Sequence, residues 1–115
     1  MEKYKVVTAH TSEYPEPISL VQGEQVRLGE RAPEENWKDW IWAENDRNEG
    51  GWVPIQLIEM LEGQDIVRED YSAKELNTRE GEELIKIKAM NAWTWVRRLH
   101  DNAEGWVPDE TIAVV

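Results

Sequence analysis

The chain has no cysteine and no phenylalanine, only seven glycines and five prolines, and no long apolar run. Each absence removes a class of protein. Without thiols there is no disulfide scaffold, no thiolate zinc site and no cysteine nucleophile. No stretch approaches the roughly 20 apolar residues needed to cross a bilayer. The start, Met1-Glu2-Lys3-Tyr4-Lys5, lacks the apolar run of a signal peptide, so a cytoplasmic location is expected. Positive charge is scarce: 13 basic against 24 acidic side chains leave a net charge of −11. That balance repels phosphate backbones and anionic lipid, which makes nucleic acid and membranes poor partners. A length of 115 residues holds one ordinary domain or two very small ones, too little for a large cofactor-binding enzyme. No Gly-rich phosphate loop, Gly-x-Ser-x-Gly elbow or His-Glu-x-x-His metal motif is present, so no cofactor is expected.

What the chain does have is tryptophan, seven residues of it, arranged in a repeat. Gly51-Trp52-Val53-Pro54 returns as Gly105-Trp106-Val107-Pro108, 54 residues later. Trp40-Ile41-Trp42-Ala43 answers to Trp93-Thr94-Trp95-Val96 at an offset of 53, and Gln22-Gly23-Glu24 to Glu80-Gly81-Glu82 at 58. Fixed order with drifting spacing is what loop-length changes between fixed strands produce. The join falls near Leu61-Glu62-Gly63-Gln64, giving expected domains 1–61 and 65–115. Within each copy strand signals dominate. Gln25-Val26-Arg27-Leu28 alternates polar and apolar, the Trp-x-Trp segments suit a pleated surface, and 45–50 and 100–104 read as hairpin connections. In the second copy Leu84 and Lys86 conflict in phase with Ile85, Ile87 and Ala89. A bulge near Leu84 would reconcile them.

These motifs resemble the Src-homology-3 (SH3) family. The first copy shows Ile18-Ser19-Leu20-Val21-Gln22-Gly23-Glu24, Trp40-Ile41-Trp42-Ala43 and Gly51-Trp52-Val53-Pro54. The second shows Asp70-Tyr71, Leu76 through Glu82, Trp93-Thr94-Trp95-Val96 and Gly105-Trp106-Val107-Pro108. Tyr14-Pro15-Glu16-Pro17-Ile18 and the paired Trp-x-Trp strands look like small bacterial tandem proteins with variant domains of this type. The resemblance implies an all-β fold of two tandem, small, five-stranded SH3-like barrels, each with an aromatic groove for extended proline-rich peptides. A polyproline II ligand suits such a groove because it is already extended and its ridges pack on flat rings.

Carried over residue by residue, the implied groove uses Trp40, Trp52 and Pro54 in the first copy, and Tyr71, Trp93, Trp106 and Pro108 in the second. Thr8 and His10 stand where the first copy's strand tyrosines would be, and Leu57 replaces its last-turn tyrosine. Glu69 and Thr111 occupy two aromatic positions of the second. Strand alternation points Ile41, Ala43, Thr94 and Val96 inward and leaves Trp40, Trp42, Trp93 and Trp95 outside. Carboxylates beside the tryptophans, Glu34, Glu35 and Asp39 in one copy and Glu75 in the other, suit a ligand Arg or Lys held over a ring face. His10 and His100 have no His or Cys nearby in sequence and read as surface residues.

The expected function is a non-catalytic interaction module docking an extended, proline-containing or basic segment of a partner protein. The alternative is a structural or assembly protein whose Trp-rich faces are buried between barrels or in a homo-oligomer. Cell-wall binding would require export, and no nucleophile constellation suggests an enzyme.

Overall fold

The computed structural model describes residues 2–12, 17–32 and 39–115. Its elements are strands β1 (Lys3–Val6), β2 (Ser19–Leu20), β3 (Gln25–Arg31), β4 (Trp40–Glu44), β5 (Gly50–Pro54), β6 (Ile58–Leu61) and β7 (Gln64–Val67). They continue with β8 (Tyr71–Ser72), β9 (Glu83–Met90), β10 (Trp93–Arg98), β11 (Glu104–Pro108) and β12 (Ile112–Val114). Short 3-10 turns at Ile55–Leu57 and Asp109–Thr111 join β5 to β6 and β11 to β12. Among the described residues no helix is long and apolar enough to cross a membrane.

The chain packs into two compact units. One is continuous, Glu16–Ala73; the other combines Met1–Pro15 with Lys74–Val115. The continuous unit contains an antiparallel sheet in the order β5-β4-β3-β7-β6 and the short β2-β8 ladder. The discontinuous unit contains a sheet in the order β11-β10-β9-β1-β12. The two are built alike. In one, the Gly23 N–H donates to the Val67 carbonyl at 2.8 Å and the Val67 N–H to Glu24 at 2.9 Å. In the other, Gly81 donates to Val6 at 2.8 Å and Val6 to Glu82 at 2.9 Å. Val67 and Val6 therefore hold the same place, and both are buried to 1% exposure.

The structure departs from the expected pair of tandem barrels in two respects. All-β holds, but among the described residues no sheet closes into a barrel: β5 and β6 share no ladder, nor do β11 and β12. The donors that closure would need are missing or spent. Pro54 and Pro108 end their strands without an N–H, and the next donors, Ile55 and Asp109, turn back to the carbonyls of Asp39 and Ala92. The outer edge of β11 is also occupied, since Leu76 donates to the Trp106 carbonyl and Trp106 to that of Lys74.

Nor is the arrangement a tandem of consecutive barrels. Glu62 and Gly63 form a two-residue hairpin, with Leu61 paired to Gln64 and Gly63 at φ +82°. That left-handed position favours glycine. The turn folds β7 back onto β6, filling the place that β1 would take in a consecutive unit. β1 pairs instead with β9 and β12, its Lys3 in an ion pair with Glu83 and Lys86 in one with Glu2. In β7's place, next to β3, Lys3 would by equivalent register stand opposite Arg27, a like-charge pairing.

Side-chain alternation makes each interior. In the discontinuous unit Val6, Leu76, Leu84, Val96 and Val107 form one buried cluster, flanked by Tyr4, Ala103 and Ile112. In the continuous unit Ile18, Leu20, Val26, Ile41, Ala43, Val53 and Val67 are buried. The bulge expected near Leu84 lies further along: Trp95 pairs with Lys88 but Val96 with Lys86, leaving Ile87 as the extra residue. β3 carries an irregularity at the matching place, between Leu28 and Arg31.

Candidate functional site

Among the described residues, a candidate surface site forms in the discontinuous unit and starts from a turn. Asn91 (φ +51°) and Ala92 (φ +70°) are both left-handed, as a two-residue hairpin between β9 and β10 requires. The turn delivers Trp93 at the head of β10, directly across from Pro108 of β11. The Asp109 N–H donates to the Ala92 carbonyl at 3.0 Å, and the Thr94 hydroxyl donates to Asp109 Oδ1 at 2.6 Å. Trp93 and Pro108 are thus fixed side by side, both half-buried.

Two chain arms meet at this corner. The arm after β1 bridges to the segment before β9: His10 and Thr78 exchange backbone hydrogen bonds of 3.2 and 2.8 Å. The His10 N–H also reaches Thr78 Oγ1 at 3.2 Å. Slightly earlier, Glu75 lies against Trp106 of β11 in a parallel bridge. These constraints bring His10 Nε2 to 2.7 Å from Glu75 Oε1, with side-chain exposures of 16% and 11%. The imidazole stands edge-on to Trp93, ring centroids 5.7 Å apart at 78°.

Trp106 is not part of that exposed corner. It is 4% exposed, packs edge-to-face on Trp95 at 5.5 Å, and carries the Lys88 ammonium 5.7 Å from its ring centroid. The Trp95 indole N–H donates to Glu104 at 2.8 Å. The continuous unit repeats this pairing with Trp42 and Trp52, edge-to-face at 5.4 Å. Gly29 and Gly50 let Trp42 lie flat, since a Cβ on either would meet the ring at 3.1 and 2.8 Å.

The sequence-predicted residues of the continuous unit fare unevenly. Trp40, expected on the outer face, is 6% exposed, and Pro54 opposite it is fully buried. Trp52 is half-buried and Asp39 exposed, while Glu34 and Glu35 lie outside the described residues. Tyr71, grouped by sequence with Trp93, belongs to the continuous unit. There it is 5% exposed and its hydroxyl donates to the Trp52 carbonyl at 3.4 Å. Of the second-copy set, Glu75, Trp93 and Pro108 stay together. The residue missed was His10, read as a surface histidine. Its place in a tyrosine position was legible, but the approach of Glu75, 65 residues away, was not.

Among the described residues no cluster of three or more His, Asp or Glu is disposed to hold a metal. The antiparallel β-sheet units, one of them with an aromatic corner, place the protein among the small all-β modules. The variant SH3 domain family matches residues 3–61, more than half of the chain, and the protein belongs to that family. Neither the curated proteins nor the solved structures include a significant match. The matched segment begins in β1, whose strand partners are β9 and β12.

Proposed function

We propose that the protein docks an extended, proline-containing segment of a partner protein on the corner formed by Trp93, Pro108 and the neighbouring arms of the discontinuous unit. The observation that carries this reading is Trp93: a half-exposed indole at a strand head, across from a proline and in edge contact with a histidine that is bonded to a carboxylate. Flat rings of this kind pack the ridges of a polyproline II segment, which surrenders little entropy on binding. The net charge of −11 adds attraction for a segment carrying basic residues elsewhere along its length. The burial of Trp40 and Pro54 favours this corner over its counterpart in the continuous unit.

Trp93→Ala tests the reading. It removes an aromatic anchor of the sort that contributes about 2 kcal/mol or more at interfaces, so affinity for a proline-rich peptide should fall about thirtyfold or more by titration calorimetry. The thermal transition should remain. A variant that binds like the parent chain would end the proposal. The assembly reading draws on different residues: Trp42–Trp52 and Trp95–Trp106 act as packing pairs, and Met60, Val114 and Val115 are exposed apolar side chains. A concentration-dependent mass in light scattering would favour it.

A further inference from the structure

At the Trp93 corner one side chain of the protein already makes the contacts a bound cation would make. A carboxylate beside an indole is the combination that a guanidinium or ammonium group recognises, through a charge-assisted hydrogen bond and the field of the ring. Here Glu75 and Trp93 supply the two groups, and the His10 imidazole sits against both, 2.7 Å from Glu75 Oε1 and 5.7 Å from the Trp93 ring centroid. Neither partner is loosely placed. Glu75 is pinned to β11 by the Leu76 and Trp106 hydrogen bonds, and His10 is tied to Thr78 through backbone and hydroxyl. With the imidazole 2.7 Å from Oε1 and only 11% of the Glu75 side chain exposed, an incoming cation competes with His10 for the carboxylate.

We infer that His10 is the internal occupant of a cation subsite made by Glu75 and Trp93, and thereby sets the specificity of the docking surface. With His10 in place the surface refuses Arg and Lys at this position and takes an uncharged, proline-type residue. With the imidazole removed, the same corner becomes an arginine-binding subsite. This inference rests on reading Trp93 as a docking surface, and it narrows the class of segment that surface accepts.

The test uses the full chain with its indole N–H signals resolved by NMR, and N-acetyl-arginine amide as the probe. His10→Ala should bind the probe with a saturable shift of the Trp93 signal, about tenfold or more tighter than the parent chain, as expected for exposing one charged hydrogen-bond acceptor. The double variant His10→Ala/Glu75→Gln should lose that gain. His10→Leu, which keeps more of the side-chain volume but has no donor for Glu75, serves if the alanine variant fails to fold. Equal response of parent and variant, or a gain that survives Glu75→Gln, would overturn the assignment. A proline-rich peptide titrated in parallel separates the two ideas. If the peptide moves Trp93 in the parent chain while arginine amide ignores the variants, docking stands and the subsite falls. If arginine amide binds the variants but no peptide moves Trp93, the subsite stands and docking falls.

Discussion

Asp101 sits at the tip of the β10–β11 hairpin, where the Arg98 guanidinium donates to it at 3.0 and 2.9 Å and the Ala103 N–H at 3.0 Å. The Arg98 hydrogen bonds, then the Ala103 bond, lower its pKa from 3.8 to about 2. Next to it, burial works to raise the pKa of Glu82. The Arg79 N–H, His100 and Arg98 outweigh that, and the group ends below its ordinary value. Both shifts are downward, so the stability they carry is present above the ordinary carboxylate range and is lost as pH falls through the folded pKa. Melting of the discontinuous unit should therefore drop between pH 3.8 and about 2. Asp101→Asn should flatten part of that dependence, a result that circular dichroism melts across the range will show or refute. At this scale the sequence displayed the partners but not the partnerships, because Arg98 and Glu82 meet only once β9 and β10 pair.

The elements themselves were largely legible. Alternation marked β3, β4 and β10, and the buried faces of Ile41, Ala43, Thr94 and Val96 follow the period-two rule. Turn chemistry was harder to see. Asn91-Ala92 lacks the glycine that announces a two-residue hairpin, yet Ala92 sits at φ +70°, where a Cβ crowds the backbone. Ala92→Gly should relieve that crowding and raise stability by about 1 kcal/mol. Chemical denaturation measures the change, and a variant no more stable than the parent would contradict the assigned turn. Gly63 was visible too, but was read as part of a connection between copies. Its neighbours Leu61 and Gln64 carry no mark that distinguishes a linker from a hairpin, and only the strand pairing decides.

On the scale of the whole molecule, the family pattern over 3–61 and the compact unit Glu16–Ala73 divide the chain differently. The difference is one exchanged strand: β7 stands beside β3 where β1 would stand in a consecutive unit. No local signal in the sequence reports such an exchange, because Lys3–Val6 and Gln64–Val67 both end in a valine that fits either interior. Deleting residues 1–15 separates the arrangements. It should disorder the sheet of β9 to β12, which loses its inner strand, and leave the amide signals of 17–32 and 39–73 dispersed. The reverse pattern, loss of the first half with 74–115 intact, would mean that the strands are not exchanged. The docking claim has an equally direct test in the indole N–H spectrum of the full chain, titrated with a proline-rich peptide. A selective, saturable shift of the Trp93 signal, with Trp40 and Trp106 unmoved, is the predicted result. A shift confined to Trp40 and Trp52, or no shift at any of the seven indoles, would contradict it.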